Sequence, residues 1–370
     1  MRGAVDATVL EAFVDQETEI VRRCALCGSE RAQVLFTSGD RRHRQPGLFA
    51  FLRCDACGLG RLSPRPRQAI LERYYPSDDY YAYQPEADRS GLLSCRAVDV
   101  RAAIWAAELL ALGYPLPRHR FVSTGRKVLP RELWRRFTYG WEGIPRYAAG
   151  GRVLDIGCGN GAFLALLRQA GWEVVGVDAS RAAARTARAS FGIDVHTTTL
   201  EDAPLPQRGF DFIHMSHVIE HVEDPVTTLD QVARLLRPGG QLYIETPNVD
   251  SFSLKQWHAD WLHVDSPRHL WMFSHHTLAR ALGEAGLTMD RLYGRGGFRF
   301  YRWEWTFQQE ERQGRPLPRR PTVDPRAVPR LLALAAVGSL SARANPESGE
   351  VICCWAHLDH SRVSGRVDDQ

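Results

Sequence analysis

The stretch Arg152-Val-Leu-Asp-Ile-Gly-Cys-Gly-Asn-Gly-Ala-Phe-Leu164 decides the fold. A short apolar run ends in an acid, a glycine-rich turn follows, and an amphipathic helix begins at Ala162. Three glycines in five residues let the main chain pass close to a ligand, because no Cβ stands in the way. The helix behind the turn points its free N–H groups toward that ligand. The stretch therefore predicts a small-molecule site built from main chain.

Around this stretch, strand and helix patterns alternate from residue 151 onward, which indicates an α/β fold with a mainly parallel sheet covered on both faces. We predict strands at 152–156, 173–177, 193–197, 210–215, 241–245, 287–293 and 351–357. We predict helices at 162–170, 181–191, 225–236, 275–285 and about 326–341, and a long irregular insertion at 247–273. The fold class is thus a doubly wound, Rossmann-like sheet.

The glycine turn alone leaves the cofactor open. Gly157-x-Gly159-x-x-Ala162, with Asp178 about 20 residues on, satisfies a fingerprint that NAD, FAD and S-adenosylmethionine sites share. Asp155 stands at the end of the first strand, where it can reach the ammonium group of a methionine moiety, and dinucleotide folds usually keep that position apolar. Gly161 adds another point of close approach. These features favour S-adenosylmethionine.

The other cofactor contacts follow from the strand ends. Asp178 is placed to accept both ribose hydroxyls, and Glu201 and Asp202 follow the third strand, where an adenine edge would lie. The predicted cofactor-binding residues are Asp155, Gly157, Gly159, Asn160, Gly161, Asp178, Ala179, Glu201, Asp202 and Ser216.

Two C-x-x-C pairs near the N-terminus predict a metal site. Cys24 and Cys27 precede Gly28, and Cys54 and Cys57 precede Gly58, so four thiolates can surround one Zn²⁺ tetrahedrally. A closed Cys₄ site leaves no open coordination position, so the zinc would be structural. The gap between the pairs is long for a ribbon, and we expect a hairpin loop over 36–44 to absorb it. The alternatives are four unrelated buried cysteines or a redox pair.

Composition and charge bound the remaining possibilities. The chain has 370 residues and a net charge of +4, and only two of its 47 basic residues are lysines. Such a skew is typical of genome composition, so the arginines around the cysteines are weak evidence for nucleic acid. No apolar run reaches the ~18 residues that a membrane span needs, and the first residues do not form a signal peptide. We expect a cytoplasmic protein with reduced cysteines and no membrane or nucleic-acid partner.

The chain divides into four predicted segments. They are a zinc-ribbon module at 1–66, a helical and aromatic linker at 67–149, the α/β domain at 150–360 and a disordered tail at 361–370. Five tyrosines crowd the start of the linker, and they form either a lid over a ligand or an ordinary packed linker. These tyrosines are Tyr74, Tyr75, Tyr80, Tyr81 and Tyr83.

Four motifs in order carry a resemblance over residues 150–294. Val153-Leu-Asp-Ile-Gly-Cys-Gly-Asn-Gly161, Gly176-Val-Asp178, Phe210-Asp-Phe-Ile213 and Leu236-Arg-Pro-Gly-Gly-Gln-Leu242 resemble the ordered motifs of class I S-adenosylmethionine-dependent methyltransferases. The resemblance implies a seven-stranded sheet with a final antiparallel strand, and S-adenosylmethionine as the methyl donor.

The flanking motifs narrow the resemblance. His217-Val-Ile-Glu-His-Val-Glu-Asp-Pro225, Thr246-Pro-Asn248 and Asp265-Ser-Pro-Arg-His-Leu270 are similar to motifs of bacterial methyltransferases of cell-surface glycan and secondary-metabolite pathways. Some of those relatives carry an N-terminal Cys₄ zinc module before a tyrosine-rich segment, as here. Ubiquinone-biosynthesis O-methyltransferases share the Glu-His motif but lack that module.

Histidines are the candidate catalytic residues, because a hydroxyl acceptor needs a base at neutral pH. We rank His221 first, His217 second and His269 third, with Glu220 placed to orient an imidazole. Four residues separate His217 and His221, so on a helix they would share one face. The alternative for His221 is a packed residue at a helix start. His214, inside the fourth strand, is expected in the core.

Two further groups of side chains in the insertion could contact an acceptor. Arg268, beside His269, would hold an anionic or hydroxylated substrate or else anchor its loop by ion pairs. Trp257, Trp261 and Trp271 would form either a sugar-stacking platform or aromatic core.

The function predicted from the sequence is methyl transfer from S-adenosylmethionine to a small-molecule acceptor, most simply at a hydroxyl oxygen. The acceptor would be a sugar, a glycan precursor or a secondary metabolite. The alternatives are C-methylation of a keto-sugar, an RNA methyltransferase that grips RNA with the zinc ribbon, an NAD or FAD oxidoreductase, and a non-catalytic binding protein. Met215-Ser-His-Val stands where amino-group base methyltransferases carry N/D-P-P-Y, which disfavours RNA. The sequence predicts neither the acceptor's identity nor the oligomeric state.

Overall fold

The computed structural model of the chain describes residues 17–76, 109, 112–114, 143–296, 298–315 and 323–358. Three of the crowded tyrosines, Tyr80, Tyr81 and Tyr83, lie outside these residues, as do most of residues 67–142 and the predicted tail at 361–370.

Thirteen strands occur in the described residues. They are β1 (Thr18–Glu19), β2 (Ala32–Ser38), β3 (Phe49–Cys54), β4 (Gly60–Leu62), β5 (Arg65–Pro66), β6 (Arg152–Ile156), β7 (Glu173–Val177), β8 (Val195–His196), β9 (Phe210–Ser216), β10 (Leu236–Pro247), β11 (Trp271–Met272), β12 (Leu287–Arg295) and β13 (Val351–Leu358).

The α-helices of the described residues are α1 (Ala162–Gln169), α2 (Arg181–Phe191), α3 (Pro225–Leu235), α4 (Phe252–Trp257), α5 (His275–Glu284), α6 (Phe298–Arg312) and α7 (Val328–Ala344). Short 3₁₀ helices occupy Gln68–Tyr74, His258–Asp260, Leu262–Val264, Pro325–Ala327 and Pro346–Ser348. None of the helices in the described part of the chain is long and apolar enough to cross a membrane.

Seven strands form one sheet in the order β12-β13-β10-β9-β6-β7-β8. β6 pairs in parallel with β7 and with β9, β7 pairs in parallel with β8, and β12 and β13 are antiparallel. This confirms the predicted α/β class, including the antiparallel strand at the end of the chain. The predicted strand at 241–245 begins too late, because β10 starts at Leu236 and includes Pro238-Gly-Gly240.

The described chain divides into two compact units. The first contains the residues up to Pro76, Ser216–Ala233 and the residues from Ile244 onward. The second contains the residues between Ser77 and Met215 together with Arg234–Tyr243.

The second unit is built on β6 and the helix behind it. Val153, Leu154 and Ile156 of β6 are buried, and so is the apolar face of α1. Gly161, the residue before α1, has φ +76°, and a Cβ there would lie 2.8 Å from the Ala187 Cβ of α2. Glycine at 161 therefore serves both the turn and the close approach of the two helices.

The first unit contains a four-stranded antiparallel sheet in the order β11-β4-β3-β2. β2 and β3 form a hairpin whose connection, residues 39–48, accommodates the long gap between the cysteine pairs. The predicted loop at 36–44 began too early, since residues 36–38 belong to β2. The insertion at 247–273 is also more regular than predicted, because it supplies α4 and the edge strand β11.

A buried carboxyl in the first unit predicts a pH-dependent stability. Glu350 is 2% exposed and accepts a hydrogen bond from the Tyr301 hydroxyl at 3.1 Å. Burial raises the pKa of Glu350 to about 7, so the folded state favours the protonated form. The stabilisation from holding this proton is complete below the ordinary glutamate pKa and is lost as the pH rises through about 7.

We therefore expect Glu350→Gln, which keeps a neutral side chain of the same shape, to flatten the fall in melting temperature between pH 5 and 8 that the wild type shows. Glu72→Gln, at an exposed position, is the matched control and should leave that slope unchanged. Differential scanning fluorimetry across this pH range measures both. Equal slopes for wild type and Glu350→Gln would show that Glu350 is not the responsible group.

Candidate active site

The glycine turn of the second unit has the backbone geometry that the sequence predicts. Gly157, Gly159 and Gly161 have φ values of +67°, +53° and +76°, the left-handed region that glycine tolerates best. Asp178, after β7, accepts a hydrogen bond from the Gly159 N–H at 2.9 Å and another from the Ser180 N–H at 2.8 Å. One carboxylate therefore ties the turn to the start of α2.

Asp155 contacts a histidine inside the same unit. Its Oδ1 lies 2.7 Å from the His214 Nδ1, and both side chains are buried. The His214 ring stacks between Phe163, at 4.0 Å, and Tyr243, at 5.5 Å. His214 is therefore a core residue, as its position in the strand indicates. Among the described residues, it is the side chain that Asp155 contacts.

The other predicted cofactor residues lie in loops that follow strands of the large sheet or at the ends of those strands. Asn160 accepts from the Ala162 N–H at 3.1 Å and so caps the first turn of α1. Asp202 accepts from the Thr199 hydroxyl at 3.3 Å in the turn after β8. Ala179 follows Asp178 directly, Glu201 precedes Asp202, and Ser216 is the last residue of β9.

The histidine cluster belongs to the first unit and is not helical. Residues 217–223 form turns, and α3 begins only at Pro225, so the predicted helical face shared by His217 and His221 does not exist. His217 has φ +55°, a conformation that a residue with a side chain adopts at a cost of ~1 kcal/mol or more. This strain places the His217 ring against the next acid in the chain, Glu220.

Glu220 is the buried centre of the cluster, with no exposed side-chain surface. Its Oε1 accepts from the His217 Nδ1 at 3.1 Å, and its Oε2 accepts from the Thr246 hydroxyl at 2.9 Å. Burial alone would raise its pKa, but the contact with His217 prevails and lowers the pKa of Glu220 to about 2. Glu220 is therefore a permanent anion.

His217 carries the balancing positive charge. Its Nε2 lies 3.4 Å from an oxygen of Glu245, so each ring nitrogen faces a carboxylate. Burial would lower the pKa of His217, but its hydrogen bonds to Glu220 and Glu245 hold that pKa well above the usual value. An imidazolium fixed in this way cannot accept a proton at neutral pH.

His221 has the opposite character. Its Nδ1 lies 2.9 Å from the Arg268 carbonyl oxygen, which can only accept, so Nδ1 carries the proton and Nε2 carries the lone pair. Burial lowers the pKa of His221, which keeps the ring neutral. The Tyr75 hydroxyl lies 3.0 Å from the same Nδ1, a contact that the sequence did not indicate.

His269 is neutral for the same reasons. Its Nδ1 donates to the His263 carbonyl at 2.8 Å, and burial lowers its pKa to about 4. Its Nε2 lies 4.0 Å from Glu220 Oε1, and its ring meets the His221 ring edge-on at 4.6 Å. The structure thus brings together all four predicted catalytic residues and makes His217 a cation beside two neutral histidines, His221 and His269.

Three of these side chains also have the composition of a cation site. Ligand atoms of Glu220, His221 and His269 all lie within 4.8 Å of one another. Two imidazoles and one carboxylate are a donor set that first-row divalent metals accept. The cluster can therefore supply either a base or metal ligands.

Arg268 and two of the three tryptophans of the insertion are structural, and the third, Trp257, is half-buried against Tyr301. Arg268 has no exposed side-chain surface and pairs with Asp40 at 2.8 Å and Asp265 at 2.7 Å, so it anchors its loop. Trp261 and Trp271 are 2% and 3% exposed, which places them in the core and not in a sugar-stacking platform.

The four cysteines of the first unit form two matching turns. The Gly28 and Gly58 N–H groups bond back to the Cys24 and Cys54 carbonyls at 2.8 and 2.9 Å. The Sγ atoms of Cys24 and Cys57 are 3.5 Å apart, as are those of Cys27 and Cys54. Tetrahedral Zn–S bonds of about 2.3 Å require sulfurs roughly 3.8 Å apart, so the four thiols fit one metal ion.

The seven-stranded sheet and the glycine turn after β6 define an α/β protein of the doubly wound class. A family profile described as a methyltransferase domain matches residues 126–292. The ubiquinone biosynthesis O-methyltransferase of Thiobacillus denitrificans is 32% identical over 188 residues, which cover 48% of this chain and 81% of that protein. The chain therefore belongs to the class I S-adenosylmethionine-dependent methyltransferase family.

Two further similarities have narrower coverage or lower identity. The ubiquinone biosynthesis O-methyltransferase of Aromatoleum aromaticum is 34% identical over 136 residues, or 35% of this chain and 58% of that protein. The chain spans about half the length of most curated relatives that it matches. Among solved structures, an S-adenosylmethionine-dependent methyltransferase from Mesorhizobium loti is 19% identical, covers 56% of this chain and 91% of its own, and has a TM-score of 0.38.

Proposed function

We propose that the protein transfers a methyl group from S-adenosylmethionine to a hydroxyl oxygen of a small-molecule acceptor, with His221 as the general base. The observation that carries this proposal is the state of the His221 ring, which is neutral, donates from Nδ1 to the Arg268 carbonyl and keeps its Nε2 lone pair. A base in this state is what a weakly acidic hydroxyl requires.

The second unit has residues suited to the donor. The glycines at 157, 159 and 161 give the turn its left-handed φ values, and each carboxylate oxygen of Asp178 accepts one N–H and has a further lone pair for a ribose hydroxyl. Glu201 and Asp202 follow β8, where the adenine edge is expected. When bound, S-adenosylmethionine supplies an activated methyl group on a sulfonium.

The histidine cluster would then accept the proton of the acceptor hydroxyl. His221 Nε2 would accept that proton, and S-adenosylmethionine would supply the methyl group, so that the products would be a methyl ether and S-adenosylhomocysteine. The imidazolium that forms is stabilised by the Glu220 anion and passes its proton to solvent. His217, already charged, orients Glu220 and does not act as the base, and His269 is the second neutral candidate.

The choice of acceptor rests on indirect support. The relatives are named for O-methylation in ubiquinone biosynthesis, which favours an oxygen acceptor on a small molecule. The N-terminal cysteine module and the motifs at 265–270 favour a sugar, glycan precursor or secondary metabolite. C-methylation of a keto-sugar needs the same base and remains the second candidate.

The N-terminal arginines support a small acceptor over RNA. Arg41 pairs with Glu311, Arg42 with Asp265 and Arg53 with Asp250, so their charges are compensated within the unit. Arg61, 2% exposed, donates to main-chain carbonyls. These guanidinium groups are engaged with protein partners and do not form a basic strip for phosphates.

We further propose that Cys24, Cys27, Cys54 and Cys57 hold one structural Zn²⁺. All four ligand positions would be filled by thiolates, so the metal would stabilise the two turns and the sheet between them, with no part in the chemistry. Cys24 and Cys54 are buried, and Cys27 and Cys57 are half-buried.

The donor site is tested by cofactor affinity. We expect Asp178→Asn to weaken S-adenosylhomocysteine binding at least about 10-fold, because the amide removes an acceptor from the ribose hydroxyls. Isothermal titration calorimetry measures the change. Asp194→Asn, at an exposed pair with Arg188 in the same unit, should bind like the wild type. Thermal stabilisation by NAD and none by S-adenosylhomocysteine would contradict the proposed function and favour an oxidoreductase.

The base is tested by kinetics. With labelled S-adenosylmethionine and a panel of nucleotide-sugars and phenolic or aliphatic alcohols, we expect His221→Ala to lower kcat by about 10²- to 10⁴-fold and to leave S-adenosylhomocysteine affinity unchanged. His276→Ala, an exposed histidine at the start of α5, is the control. A His221→Ala enzyme with the wild-type kcat would rule out His221 as the base.

The metal is tested by elemental analysis of the purified chain. We expect about one zinc per chain, lost in Cys54→Ser together with several degrees of melting temperature, because metal binding to this set contributes folding energy. Cys158→Ser, outside the cluster, should keep the zinc. A wild-type chain that is fully folded without metal would contradict the proposal.

A further inference from the structure

We propose that the N-terminal segment completes the active site, with Tyr75 as a positioning residue that bonds to His221 Nδ1 and orients the His221 ring. This inference rests on the function proposed above for His221. Tyr75 follows the 3₁₀ helix Gln68–Tyr74, and its hydroxyl lies 3.0 Å from His221 Nδ1. The two rings are 6.2 Å apart and inclined at 60°, so the hydroxyl and not the ring face meets the imidazole.

The protonation state of His221 fixes the direction of this contact. The Arg268 carbonyl takes the Nδ1 proton at 2.9 Å, so Nδ1 is a donor and the Tyr75 oxygen can only share the same proton as a second acceptor. The Arg268 carbonyl excludes the alternative tautomer, in which Nδ1 would present a lone pair to it, and the Tyr75 hydroxyl oxygen is the second acceptor of the Nδ1 proton. These contacts leave Nε2 as the one nitrogen of His221 available to accept a proton.

The carbonyl in this arrangement is itself held by the N-terminal segment. The Arg268 guanidinium donates to both oxygens of Asp40, at 2.8 and 3.2 Å, and to the Tyr74 carbonyl at 3.0 Å. Asp265 takes its Nε–H at 3.1 Å. Every N–H of the guanidinium thus has a partner, and two of the partners belong to the hairpin connection 39–48 and the 3₁₀ helix.

The buried charges around Arg268 balance within this group. Arg268 and Arg42 carry two positive charges, and Asp40 and Asp265 carry two negative charges. A balanced, fully hydrogen-bonded group of this kind has one low-energy geometry, since any shift leaves a buried charge without its partner. The position of the Arg268 carbonyl, and so of the proton on His221, is therefore set by residues far earlier in the chain.

The decisive variant is Tyr75→Phe, which removes one oxygen and keeps the ring. Tyr74→Phe is the matched control, because its hydroxyl bonds to the Pro46 carbonyl at 3.2 Å and does not touch His221. In the full-length protein, ¹⁵N-labelled at histidine and assigned with His221→Ala, we expect Tyr75→Phe to shift the ring nitrogen resonances of His221 and Tyr74→Phe to leave them in place. Unshifted resonances in Tyr75→Phe would overturn the proposal, whatever reaction the protein catalyses.

Kinetics give the second readout. We expect Tyr75→Phe to lower kcat about 3- to 10-fold, the effect of one lost hydrogen bond, with KM for the acceptor and S-adenosylhomocysteine affinity unchanged. The same substitution in a His221→Ala background should have no further effect, because Tyr75 acts through His221. A full additional loss in that background would overturn the positioning role. An active His221→Ala enzyme would instead overturn the base assignment and leave the resonance test of Tyr75 standing.

Discussion

The first unit depends on one buried anion. The Glu220 carboxylate has no exposed surface and accepts from His217 and Thr246, and the Glu220 carbonyl accepts from the Leu270 and Trp271 N–H groups at 2.7 and 3.1 Å. An isolated carboxylate buried in this way would cost several kcal/mol, so its partners must be in place when the chain folds. Glu220 thereby connects three segments, which are the turn after β9, the end of β10 and the strand β11.

This anion also explains why neighbouring histidines differ. Glu220 and Glu245 bring two negative charges, and His217 and Arg295 bring two positive charges, since Arg295 also pairs with Glu245. The charges are then balanced, so the attraction of Glu220 for a further imidazolium is outweighed by the cost of burying that charge. Burial accordingly lowers the pKa of both His221 and His269. Different surroundings thus give neighbouring histidines different pKa values. In this way a single fold holds a fixed cation and a base side by side.

Local patterns in the sequence were enough to predict the parallel strands and the glycine turn. β6, β7 and α2 have the predicted bounds, because strand and helix periodicity depends on neighbouring residues alone. The contacts of the cluster could not be predicted in this way. The helical spacing of His217 and His221 was misleading, because the pull of two carboxylates on His217 outweighs a helical conformation at that residue.

The long gap between the cysteine pairs is a second feature that the sequence explained only in part. Spacing alone indicates a hairpin loop that has to be accommodated. In the structure, that connection carries Asp40 and Arg42, which are placed 228 and 223 residues before their partners Arg268 and Asp265. A buried ion pair contributes little to net stability, but it penalises every arrangement in which its partners separate. The ion pairs of Asp40 and Arg42 therefore hold the hairpin connection against the loop that contains Arg268 and, through the Arg268 carbonyl, against His221.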